Sequence, residues 1–129
     1  MFEQAKACDF YKFVLVLDAM GALPSFWPKA AVAFVGGTMV PVGGHNLLEP
    51  AAASVPVLFG PYTRHTEYPA VLLESAGGGF RVADGAALGD VLIGLLKDPV
   101  RGRAAGDRAV AVADKLRGAT ARTLGSLLK

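Results

Sequence analysis

Cysteine is nearly missing from these 129 residues: Cys8 stands alone. That excludes an intramolecular disulfide framework and a zinc site built from several cysteines. Charge is also sparse. Asp, Glu, Lys and Arg make up 19% of the chain, and 13 basic against 11 acidic residues leave a net charge of +2. So small an excess gives no concentrated basic footprint, so nucleic acid is not an expected partner. There are only two histidines, His45 and His65, and no third ligand is spaced with them, so no metal is expected. No Asp-x-Asp, Walker or GxGxxG pattern marks the glycine-rich loops, which argues against a triphosphate or nicotinamide site. Long apolar runs are missing too. The longest stretch free of Asp, Glu, Lys and Arg covers residues 30–48, and it is broken by Gly36, Gly37, Pro41, Gly43 and Gly44. A continuous membrane-spanning helix is not expected there. The start mixes charges early and lacks the order of a secretory leader.

What is present is a hydrophobic, ordered composition. Apolar residues reach 53%, and mean hydropathy is +0.42. A disordered chain needs the opposite balance. Four short apolar runs recur, at 13–17 (FVLVL), 32–35 (VAFV), 55–59 (VPVLF) and, more weakly, 79–82 (GFRV). Runs without polar alternation are what strands buried on both faces look like. Helical spacing lies between and after them. Residues 23–31 carry two prolines, which predicts a broken helix. Residues 47–53 are alanine-rich. Residues 67–76 end at three glycines. Residues 86–96 set Leu88, Val91, Leu92, Leu95 and Leu96 on one face, and Asp98-Pro99 ends that helix. A final helical region covers 100–128, with Gly106, Gly118 and Gly125 expected to weaken or divide it. Seven basic residues, from Arg101 to Lys129, crowd this last part. They read as a solvated helix face, with an anionic lipid surface as the sharper alternative.

Alternating strands and helices predict an α/β fold with a Rossmann-like parallel sheet and helices on both faces. A sheet of about four strands is small, so 1–129 reads as one domain and an incomplete one. Ligands of such sheets bind outside the carboxyl ends of the strands. Three loops leave those ends, at 18–21, 36–44 and 60–65. Gly43-Gly44 ahead of the next helix could approach a phosphate, or could simply make a tight turn. Asn46 and Glu49 allow two readings. They could form a capping box. Alternatively the helix begins at Pro50, and Glu49 is free to accept hydrogen bonds from two neighbouring hydroxyls, as a ribose offers. His45 could donate to an oxyanion or hold its own loop. Arg64 reads as solvated, and Tyr11, Phe26 and Trp27 as packing residues.

Two segments, DAMGAL (18–23) and VAFVGGTMVPVGGHNLLEPAAASVPVLFGP (32–61), resemble the C-terminal domain of bacterial 3-deoxy-D-manno-octulosonic acid (Kdo) transferases. The resemblance is close over 18–61 and weaker through 76. It implies the C-terminal half of a GT-B glycosyltransferase, the part that holds CMP-Kdo while Kdo moves to the lipid A precursor at the cytoplasmic face of the inner membrane. Carried over by motif, the CMP contacts are Met20, Gly21 and Ala22, then Asn46, Leu47, Leu48 and Glu49. Glu49 would hold the ribose, and the turn at Asn46 the phosphate. No cofactor is implied. The chain departs from the family at Ala19 and Ala22, where the family pattern reads Thr and Glu, and at His65-Thr66, where it reads Asn-Phe. No Pro-Arg pair occurs. The acceptor domain and its catalytic glutamate have no counterpart here, so the chain by itself is expected to transfer no sugar, and surface that the acceptor domain would cover is expected to drive self-association. Two other classes stay open: the donor domain of a GT-B enzyme that uses a UDP-sugar, and a non-catalytic remnant or interaction module.

Overall fold

The computed structural model describes residues 25–41 and 46–128, with side chains to residue 119. The apolar run at 13–17 lies outside the described residues. The other three runs form strands β1 (Ala33–Val35), β2 (Val57–Phe59) and β3 (Gly79–Arg81). They pair in the order β1-β2-β3, all parallel. The register sets Val35, Phe59 and Arg81 side by side. The loops that follow β1 and β2 therefore leave from one edge, as parallel order requires.

Val57 and Phe59 point to one face, where they meet Leu47, Ala51, Ala70, Leu73, Ala109, Val112 and Ala113. Leu58 lies between them and must point the other way, yet it is also fully buried. Both faces of β2 are covered, which is why its sequence shows no polar alternation.

Among the described residues four α-helices accompany the sheet: α1 (Leu48–Ala52), α2 (Glu67–Ala76), α3 (Gly85–Lys97) and α4 (Pro99–Leu128). Helix α2 ends on Gly77 in the left-handed region (φ 83°), and the Gly78 amide donates back to the Leu73 carbonyl at 2.9 Å. This is a Schellman-type closure that glycine makes without strain. Asp84 caps α3, its carboxylate accepting from the Ala87 amide at 2.9 Å. Asp98 then separates α3 from α4 and accepts from the Arg101 amide at 3.1 Å. Among the described residues before β1, Pro28 stands in a short 3-10 turn, Trp27–Lys29.

One expectation is corrected here. Helix α4 is continuous over 30 residues, so its glycines do not divide it. Gly102, Ala105, Gly106, Ala109, Val112 and Ala113 are buried along one stripe. Small residues there let α4 come close to the sheet layer, and that packing outweighs glycine's weak helix propensity. On the other side of α4, Arg101, Arg103, Arg108, Lys115 and Arg117 are exposed, as the solvated-face reading expects. Among the described residues no helix is long and apolar enough to cross a membrane.

Candidate functional site

A cleft of about 460 Å³ opens at the carboxyl end of β1. Its size falls in the range of roughly 300–1,000 Å³ usual for small-molecule sites. It is lined by Phe34 to Gly37 at the end of β1, by Asn46, Glu49 and Pro50 at the start of α1, and by Trp27. Most of this lining is apolar, with Asn46 and the Glu49 carboxylate as its polar side chains.

The turn into α1 follows neither register read from the sequence in full. The helix starts at Leu48, so Pro50 is its third residue. Asn46 Oδ1 accepts from the Leu48 amide at 2.9 Å, a local turn that satisfies one free N–H of the helix start. Glu49 lies inside the first turn, but its carboxylate does not cap back. Instead Oε1 accepts a hydrogen bond from Trp27 Nε1 at 2.9 Å, across 22 residues of sequence. No described residue bonds the other oxygen, Oε2.

Of the expected site residues, Asn46 and Glu49 thus share one cleft. Leu47 is fully buried and Leu48 is packed against the core, so neither side chain lines the cleft. Met20, Gly21 and Ala22 lie outside the described residues, as do Gly43, Gly44 and His45. Arg64 is exposed, as expected. Among the described residues no group of three His, Cys, Asp or Glu side chains is placed to hold a metal.

Two features of the site were not legible in the sequence. Trp27, read as a packing residue, stands in the cleft wall. Thr38, fully buried, stitches the loops after β1 and β2 together. Its hydroxyl donates to the Val35 carbonyl at 2.5 Å and accepts from the Gly60 amide at 2.6 Å, while the Tyr62 amide donates to the Thr38 carbonyl at 2.9 Å. Gly60 has no room for a side chain: a Cβ there would run into the Thr38 carbonyl oxygen and the Met39 sulfur. Thr38→Val keeps the shape but leaves the Gly60 amide buried without a partner. We expect a loss of about 1–2 kcal/mol, read from urea denaturation; an unchanged midpoint would show that this stitch is dispensable.

The far end of the same edge is held by Arg81. Its guanidinium lies 5.2 Å from the centre of the Phe59 ring, donates to Thr63 Oγ1 at 3.0 Å, and pairs with Glu67 and Glu74 at 3.4 Å each. Thr63 in turn donates to Glu67. With both carboxylates half exposed, these pairs position the loop more than they stabilise it.

Comparison with known proteins points one way. No family model matches the chain. The 3-deoxy-D-manno-octulosonic acid transferase of Bordetella pertussis is 38% identical over 114 residues, 88% of this chain and 27% of that protein. The transferase of the same name from Aquifex aeolicus is 42% identical over 83 residues, 64% of this chain and 24% of that protein. The chain thus spans about a quarter of the length of these relatives. Among solved structures, the C-terminal CMP-Kdo binding domain of WaaA from Acinetobacter baumannii superimposes with a TM-score of 0.64 and 30% identity, over 77% of this chain and 50% of that one.

Proposed function

In sequence and fold the chain is related to the C-terminal part of Kdo transferases, and from that premise we propose that it binds the CMP moiety of CMP-Kdo as the donor side of a glycosyltransferase. The reaction it serves moves Kdo to the lipid A precursor at the cytoplasmic face of the bacterial inner membrane. The observation that carries this reading is the placement of Glu49. Its carboxylate lines a nucleotide-sized cleft at the carboxyl end of a parallel strand, beside Asn46, with Oε2 not engaged by any described residue.

An ionised carboxylate is an acceptor only, with about four lone-pair positions. A ribose presents two neighbouring hydroxyl donors. Charge-assisted O–H···O⁻ bonds are about twice as strong as neutral ones, so Glu49 is suited to hold the sugar of a nucleotide. Phe34 and Trp27 give the base an apolar wall. The turn at Asn46 faces the phosphate, and Met20, Gly21 and Ala22, with the backbone at Leu47 and Leu48, complete the CMP contacts. No cofactor or metal enters this scheme. Sugar transfer requires a base in reach of the acceptor hydroxyl, and this reading assigns that role to no residue of the chain. The acceptor side is supplied by a further domain. The exposed arginines of α4 suit an anionic membrane surface.

Calorimetric titration with CMP, with UDP as the control nucleotide, tests the reading. CMP is expected to bind in preference to UDP, and Glu49→Ala to weaken CMP about tenfold or more. Equal affinity of the variant and the wild type would remove Glu49 from the site. A preference for UDP would move the chain to another class of GT-B donor domain.

A further inference from the structure

Trp27 is the only tryptophan in the chain, and its indole N–H has a partner in the site, the Glu49 carboxylate. The turn that carries it is braced by its own backbone. Pro28 presets the backbone in the first turn, and the Lys29 and Ala30 amides donate to the Phe26 and Trp27 carbonyls at 3.1 and 3.0 Å. Three residues separate this turn from β1, whose carboxyl end lines the cleft. The indole is thus carried on a backbone-bonded turn next to the strand that lines the cleft.

We infer that Trp27 is a positioning residue of the nucleotide site: its indole pins one oxygen of Glu49 so that the other faces the ribose hydroxyls. The inference rests on the donor reading above and deepens it. A glutamate side chain carries several rotatable bonds and loses that freedom when it grips a ligand. Holding it in the productive rotamer beforehand lowers that loss. A neutral N–H donor suits the task. It occupies one acceptor position and leaves the carboxylate its full charge, whereas a lysine or arginine at the same place would neutralise the group meant for the ribose.

The single indole N–H gives one cross-peak in a proton–nitrogen spectrum, so the contact can be watched directly in the full 129-residue chain. CMP is expected to move that peak. Trp27→Phe, which keeps an aromatic ring and removes the donor, is expected to weaken CMP about fivefold to tenfold. In a Glu49→Ala background the same substitution is expected to change CMP affinity less than about twofold, because the group it positions is gone. Glu49→Asp supplies a second test that leaves Trp27 in place. The shorter carboxylate falls short of the indole, so the peak is expected to shift and CMP to weaken.

Trp27→Phe binding CMP as the wild type does, while Glu49→Ala binds poorly, overturns the inference and leaves the donor reading standing. So does an equal loss from Trp27→Phe in both backgrounds, which is what a merely structural role would give, or an indole peak unmoved by Glu49→Asp. Wild-type protein that binds neither CMP nor UDP overturns both readings together.

Discussion

Phe59→Ala is expected to cost about 3–5 kcal/mol of folding stability, the range for removing a buried aromatic side chain. Phe59 is fully buried in the central strand. On one side it meets the cluster formed by α1, α2 and α4. On the other it supports Arg81, whose guanidinium rests over its ring. It also sits so close to Gly79 that a Cβ on that glycine would lie 2.9 Å from its ring edge. Around it lie Leu47, Leu73 and Val112 and the short side chains Ala51, Ala70, Ala109 and Ala113, all buried in the same cluster, and alanines are too short to fill the space a lost ring leaves. Much of the cavity is therefore expected to persist and to add to the lost transfer energy. Chemical denaturation of the variant checks this, and a cost near 1 kcal/mol would mean that the sheet centre is far less tightly packed than described. Loss of the ring also frees Arg81 from its stacking surface. The loop at 60–66 should then become less ordered, visible as faster amide exchange around Thr63.

Gly106→Ala is expected to lower stability by about 3 kcal/mol, against the ordinary preference of a helix. In an open helix the change should gain about 1 kcal/mol. Gly89 in α3 is such a position: nothing lies within 4 Å of a Cβ built there, and Gly89→Ala is expected to raise stability by about that amount. At Gly106 a Cβ would overlap the Ser54 carbonyl oxygen and lie 2.9 Å from its carbon. Ser54 cannot step aside. It occupies the left-handed region at φ 64° in the turn that closes α1, with its amide donating to the Ala51 carbonyl at 3.0 Å. Moving that turn displaces α1, which carries Glu49. Overpacking against backbone costs about 1–3 kcal/mol and occasionally more. The paired variants are compared by thermal unfolding, and equal shifts at the two glycines would overturn the close packing of α4 on the α1–β2 turn.

Gly106 also shows how far the sequence could be read. Its low helix propensity was visible and pointed to a weak or divided helix. The backbone carbonyl it accommodates comes from a residue 52 positions earlier (Ser54 and Gly106) and leaves no local trace. The same holds at the site. HNLLEP marked Asn46 and Glu49 as a pair, and the parallel order of strands placed them at a carboxyl edge. The hydrogen-bond partners were hidden. Trp27 meets Glu49, and Thr38 meets Gly60, each across 22 residues.

The residue pattern alone located β1, β2 and β3 and the helices α2 and α3, because apolar runs and helical periodicity are local records of burial. It also indicated that the loops after β1 and β2 leave from one edge, because parallel crossovers bring successive strand ends to one side. Its motif order named the relatives. Only the tertiary structure decided the starting residue of α1, the unbroken course of α4, the stitch at Thr38 and the grip of the indole on Glu49. Those depend on sheet register and on how closely layers approach, and both are set by packing between segments far apart in the chain rather than by any neighbouring residues.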